Sequence, residues 1–362
     1  MQDYLSDLLR QMRALGASEL FLTRGKPPTF RIHGVVTNSN GSPLTHTRLA
    51  LLTQSLIPQS HINDFDTAQE LSFSYRSPTL GRYHVNLFRQ QDQYALVVHA
   101  LAEHIPTLEE LGAPEALKKM IKLKRGMMFI AGPAGMGKST TLASLLNYHN
   151  ENVASHILTI EDPIEYVLPQ RLSIINQREI GRDTANFESA MTCALRQSAD
   201  IVATSDITHW QTLEYGIRLA DAGRLFLSAI NANNARHAIE RLIGLYPENQ
   251  QENLLLTLAN HTKAVIAQQL VPTLEGGRIA IYELMVVTPR IADLIIRKEF
   301  EELSAVIAQG DTNGMQSLDQ SLYNLYEQNV ISAETALEYA SSYRNMRLRM
   351  RISNASEATL SL

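Results

Sequence analysis

Along the first hundred residues the rhythm of apolar and polar positions changes several times. Leu5, Leu8, Leu9, Met12 and Leu15 recur at helical spacing. Gly16 is placed to end that helix, because glycine takes a left-handed cap at little cost. Strand-like runs follow at 19–23, 29–33, 71–75, 83–88 and 94–100, punctuated by Gly and Pro. Residues 38–43 (NSNGSP) read as a turn and 49–57 as a helix. The pattern predicts a small α+β domain over residues 1–105.

Residues 106–122 read as a linker and an entry helix. The run at 126–131 (GMMFIA) is apolar without alternation, as expected of a strand buried on both faces. Within 123–288, strand-like and helical segments then alternate, which predicts a parallel sheet flanked by helices. Residues 289–342 read as helical. Leu318, Leu322 and Leu325 share one face, and Ser332 is placed to cap a helix over 333–342. In the basic tail, 343–362, Met346-Arg-Leu-Arg-Met-Arg-Ile352 alternates apolar and basic residues strictly. Period 2 predicts a strand with one basic face. It reads either as an edge guarded by charge or as a docking strand for a partner. Trp210 is expected to pack, and Cys193, on a predicted helix at 187–197, to be a small core residue.

Composition narrows the class. With 362 residues, 44% hydrophobic and 19% charged, the chain reads as a soluble globular protein with more than one core. It contains no apolar run long enough to span a bilayer, and its first residues lack the pattern of a secretory leader. These features predict a cytoplasmic protein. The single cysteine excludes a disulfide framework and a multi-cysteine zinc site. A net charge of −5 lacks the basic excess of a nucleic-acid binder, so no nucleic-acid partner is expected.

Candidate chemistry begins directly after the apolar run. Gly132-Pro133-Ala134-Gly135-Met136-Gly137-Lys138-Ser139 fits G-x-x-x-x-G-K-[ST] between a predicted strand and a helical run starting at Thr140. Gly135 and Gly137 let backbone N–H groups turn inward around phosphate oxygens with no Cβ in the way. The following helix presents its positive dipole end. Lys138 is placed to reach β/γ-phosphates and the Ser139 hydroxyl to hold Mg²⁺. Residues 132–140 are therefore the expected nucleotide-binding segment, with ATP and Mg²⁺ as ligands.

Further on, Ile157-Leu-Thr-Ile-Glu161-Asp162-Pro-Ile-Glu165 sets three carboxylates after a strand. Beside a polyphosphate they serve only through Mg²⁺ or a polarised water, since bare negative charges repel.

With the cradle in place, the chain resembles the type IV pilus retraction ATPases (the PilT/PilU family) over nearly its whole length. The resemblance rests on Gly16-Ala-Ser-Glu-Leu20, Lys26-Pro-Pro28 and Thr107-Leu-Glu-Glu-Leu-Gly112. It extends through the cradle with Thr140-Thr-Leu-Ala143, the acidic segment 157–165, Asn176-Gln-Arg-Glu179 and Ala194-Leu-Arg196. Asn233 to Ala235, Gly276-Gly-Arg278 and Gly314-Met-Gln316 complete it. It implies a PAS-like N-terminal domain joined to a RecA-like P-loop ATPase domain with a helical C-terminal part. It also implies a homo-hexamer that acts on an inner-membrane pilus platform protein, and peripheral attachment to that membrane. Glu161 takes a catalytic role by the same resemblance, with Arg82 as an arginine supplied in trans or in cis.

Departures from the family pattern gather at the hydrolytic positions. The family's Gly-Glu after its Walker B strand stands here as Ser205-Asp206, and its Thr-Leu-His as Ala229-Ile230-Asn231. Asp206 is one methylene shorter than glutamate, and Asn231 cannot carry a proton as histidine does. After Arg82, two family arginines fall on His84 and His99. A C-terminal motif of the PilT branch is reduced to Arg290-Ile-Ala-Asp-Leu-Ile-Ile296, which points to the PilU side. The expected catalytic set is Glu161, Asp206, Arg82 and Asn231. Mg²⁺ is expected on Ser139, with Glu161 or Asp206 through water. Two functions follow. One is an accessory retraction ATPase working beside a companion PilT-like ATPase. The other is a nucleotide-binding subunit of the same motor with little hydrolysis.

Overall fold

The computed structural model describes residues 2–32, 34–57, 69–310 and 314–360. Position 33, at the end of one predicted strand, and 361–362 of the tail lie outside the described residues. The chain divides into two compact units, residues 1–104 and 105–362.

In the first unit the helix Gln2–Ala14 ends before Gly16, whose φ of +60° supplies the expected left-handed turn. The strands are β1 (Glu19–Leu22), β2 (Thr29–Ile32), β3 (Val35–Asn38), β4 (Glu70–Ser77), β5 (Gly81–Gln90) and β6 (Gln93–Ala100). They form one antiparallel sheet in the order β3-β2-β1-β6-β5-β4. Leu8, Leu9 and Met12 from the first helix and Leu49 and Leu52 from His46–Leu56 cover it, packing on Leu20, Leu22 and Val85. β3 has no counterpart in the hydrophobic pattern because all four of its residues are exposed at the sheet edge.

The second unit holds the mixed α/β architecture expected. Its strands are β7 (Gly126–Ala131), β8 (His156–Glu161), β9 (Ile174–Glu179), β10 (Ile201–Thr204), β11 (Leu225–Ile230), β12 (Thr262–Pro272) and β13 (Arg278–Val286). The order is β13-β12-β7-β11-β10-β8-β9, parallel throughout except for β13, which runs antiparallel to β12. All six residues of β7 are buried, and they alternate between two cores. Met127 and Phe129 join the helices Trp210–Asp221, Ala235–Gly244 and Gln251–His261 on one face. Met128 and Ile130 join Lys138–Asn152 on the other. A strand covered on both faces needs no polar positions, which is why its sequence reads as an unbroken apolar run.

Two expectations are corrected. The tail is not a strand: Tyr343–Leu360 is a helix. Met346 and Met350, four residues apart, bury themselves against Leu322 and Tyr323, and the Arg349 guanidinium lies over the Tyr323 ring at 3.8 Å. Leu348 and Ile352, which the alternating pattern would put on the same face, point to solvent. The i, i+4 pair and the strong helix formers around it outweigh the period-2 pattern. Cys193 is likewise exposed, not in the core, because the short helix Phe187–Ala194 buries Ala190, Met191 and Ala194 instead. Ser332 does cap the helix Ala333–Glu338, accepting from the Thr335 amide. Trp210 packs edge-on against Tyr246.

Candidate nucleotide site

The cradle is built as its sequence requires. β7 ends at Ala131, and residues 132–137 turn into the helix Lys138–Asn152. Gly135 and Gly137 have φ of +74° and +80°, a region that L side chains rarely adopt, and Gly137 is the left-handed residue before the helix. Ala134 and Gly135 form the exposed tip. Behind the loop, Gln268 of β12 donates through Nε2 to the Met136 carbonyl at 2.5 Å. A Cβ at Gly132 would lie 2.8 Å from the Gln268 carbonyl oxygen. One at Gly137 would lie 3.2 Å from Gln268 Nε2. Gln268 therefore fixes the back wall of the loop, a role the sequence reading missed.

Lys138 folds back on its own loop. Its Nζ donates to the Gly132 carbonyl at 2.8 Å, the Pro133 carbonyl at 2.9 Å and Asn231 Oδ1 at 2.8 Å. Asn231, just after β11, donates through Nδ2 to Asp206 Oδ2 at 3.2 Å, and Asp206 Oδ1 accepts from the Ile207 amide at 2.9 Å. Burial pushes the Lys138 ammonium below the usual lysine range, against the pull of Asp206 and Glu165. Burial likewise pushes the Asp206 carboxyl up, against the Ile207 amide, Lys138 and Arg241. Lys138, Asn231 and Asp206, distant in sequence, thus form one contiguous chain of contacts.

The other half of the site faces the helix. Ser139 donates through Oγ to Glu165 Oε1 at 2.9 Å, and Thr140 Oγ1 meets the Tyr166 hydroxyl at 2.8 Å. Glu161, the last residue of β8, accepts from Thr159 Oγ1 at 2.5 Å and Gln177 Nε2 at 3.0 Å. Ser139, Glu161, Glu165, Gln177 and Ser205 share a cavity of about 20 Å³, room for one water. The carboxylate in direct contact with the Ser139 hydroxyl is thus Glu165. Spacing alone could not separate it from Glu161. Arg82 stands on β5 of the first unit, opposite Arg76 of β4.

Among the described residues no three His, Cys, Asp or Glu side chains cluster as a metal cage. A hydroxyl beside carboxylates at the start of a helix nevertheless fits Mg²⁺ carried by a nucleotide, because that ion keeps waters and few protein ligands.

A family model described as type II/IV secretion system protein matches residues 88–276. The type IV pilus ATPase PilU of Pseudomonas aeruginosa is 38% identical over 97% of this chain and 92% of its own length. The chain belongs to the type II/IV secretion system protein family, among its type IV pilus retraction ATPases. The family's other relatives include the retraction ATPase PilT of P. aeruginosa, 34% identical over 93% of this chain and 98% of that protein. A crystal structure of the pilus retraction motor PilT with bound ADP superposes with a TM-score of 0.85. It is 33% identical and covers 94% of this chain and 97% of that one. Membership in an ATPase family gives the chain its ligand class, a nucleotide. Among the described residues no helix is long and apolar enough to cross a membrane.

Proposed function

We propose that the chain is a PilU-like subunit of a type IV pilus retraction motor that binds ATP firmly and hydrolyses it slowly. The observation that carries this reading is the contrast between the two halves of the site. The cradle retains all of its phosphate-binding parts. The hydrolytic edge consists of a short carboxylate, Asp206, with one oxygen held by a backbone amide and the other by Asn231. Backbone amides of residues 135–140 and Lys138 would hold the triphosphate. Ser139 would hold Mg²⁺, with Glu161 or Asp206 through water, and the ion would neutralise phosphate charge. Glu161 would polarise water, Asp206 would orient it with Asn231 beside it, and Arg82, in trans or in cis, would supply transition-state charge. A positioning error near 1 Å costs about a hundredfold in rate, so the lost methylene at 206 suffices to slow turnover.

The setting is a homo-hexamer in the cytoplasm, peripheral to the inner membrane, acting on the pilus platform protein beside a companion PilT-like ATPase. A second reading is a nucleotide-binding subunit with almost no hydrolysis. It is favoured by the double engagement of the Asp206 carboxylate. Steady-state ATP turnover of the wild type, Asp206→Glu and Lys138→Ala, each with and without a companion PilT, separates the two. The motor reading expects wild-type turnover above that of Lys138→Ala, increased by the companion. Wild-type turnover equal to Lys138→Ala in both settings, with ATP still bound, establishes the second reading instead.

A further inference from the structure

Glu283 is a buried carboxylate of the second unit, and none of the roles above uses it. It lies on β13 opposite Ala267 of β12 and is 8% exposed. Its Oε1 accepts from the backbone N–H of Ala235 at 2.7 Å. Ala235 opens the helix Ala235–Gly244, whose N-cap, Asn234, accepts the His237 amide at 2.8 Å. The two side chains thus satisfy two of the orphan donors of the first turn, and the carboxylate also meets the positive end of the helix dipole.

The loop that this helix anchors is short. It runs from Asn231, at the end of β11, through Ala232 and Asn233 to Asn234. Asn231 carries the side chain that bonds both Lys138 and Asp206. Ala232 is buried and Ala235 fully so, so the loop has little room to shift independently of the helix.

We propose that Glu283 is a positioning residue for ATP turnover, holding the start of the helix Ala235–Gly244 so that Asn231 keeps its bonds to Lys138 and Asp206. The carboxylate reaches no ligand itself. It acts through a backbone amide and a loop of three residues, and a shift at Ala235 is passed to Asn231 because no free chain lies between them. This rests on the placement of Asn231 in the nucleotide site.

The experiment uses the full chain with Glu283→Gln and Glu283→Met. Glutamine keeps an acceptor at the position of Oε1, whereas methionine keeps the volume and removes the acceptor, so the core stays filled. Amide hydrogen exchange at 231–237 and the kcat and KM for ATP are measured for both and for Asn231→Ala. The expected result is faster exchange at 231–237 and a kcat loss of about tenfold in Glu283→Met, with KM within twofold. Glu283→Gln should restore both, and Glu283→Met/Asn231→Ala should be no slower than Asn231→Ala alone. Unchanged exchange in Glu283→Met, or a double variant slower by the product of the single losses, overturns the role of Glu283. Wild-type turnover in Asn231→Ala overturns the placement of Asn231 instead, and the exchange result still decides whether Glu283 holds the loop.

Discussion

The Asn231 amide spans Lys138 and Asp206, accepting from one at 2.8 Å and donating to the other at 3.2 Å. A neutral side chain therefore separates the cradle's cation from the Asp206 carboxylate. On the proposed reading, a longer carboxylate at 206 would extend further towards the phosphates of a bound nucleotide. Asp206→Glu is expected to raise steady-state ATP turnover by about tenfold, with little change in nucleotide affinity. Turnover at or below wild type removes positioning at 206 as the limiting defect.

The lowered Lys138 pKa has a consequence for binding. Burial disfavours the ammonium in the ligand-free chain, whereas a polyphosphate beside it favours the charged form. Binding therefore takes up protons when the pH lies above the depressed pKa. Affinity for ATP is full below that pKa and falls as pH rises through it, at lower pH than an ordinary lysine would give. Titration calorimetry in two buffers of different ionisation heat should report proton uptake on the alkaline side, and Lys138→Met should remove it.

Packing in the second unit yields a test independent of chemistry. Gly216, in the helix Trp210–Asp221, faces the ring of Phe226 on β11, and a Cβ there would lie 2.5 Å from two ring carbons. Gly216→Ala is expected to cost about 1–3 kcal/mol through overpacking, although alanine is the better helix former. Thermal unfolding should report a lower midpoint, and Phe226→Leu should recover part of the loss in the double variant.

The C-terminal helix separates its two readings by mutation. Met346→Ala and Met350→Ala each remove a buried side chain and should each destabilise the helical subdomain by about 2–4 kcal/mol. Leu348→Ala and Ile352→Ala should stay within about 0.5 kcal/mol. Equal losses at all four positions would restore the alternating strand.

Legibility followed the range of the forces involved. The cradle and the strand before it were visible because a strand buried on both faces and a glycine-dependent turn are both dictated locally. The tail was misread because two methionines at i, i+4 and a two-residue alternation coexist in one segment, and only the neighbouring Tyr323 and Leu322 decide between them. β3 was invisible because an edge strand with every residue exposed has no pattern to show. Gln268, Glu283 and the Ser139–Glu165 bond depend on segments meeting far from their sequence neighbours. No spacing rule marks a buried glutamate as the anchor of a helix that begins 48 residues earlier.

Gln268 closes the back of the loop so tightly that residue 132 has no space for a side chain, whatever the loop binds, while the φ of +80° at 137 strains any side chain there. A descendant that had given up ATP splitting altogether would still be held to glycine at both places, by the neighbouring strand at 132 and by its own backbone at 137. The intact fingerprint thus records a debt to architecture as well as to chemistry, and evolutionary decay of the motor would surface first at 206 and 231, where no such wall stands guard.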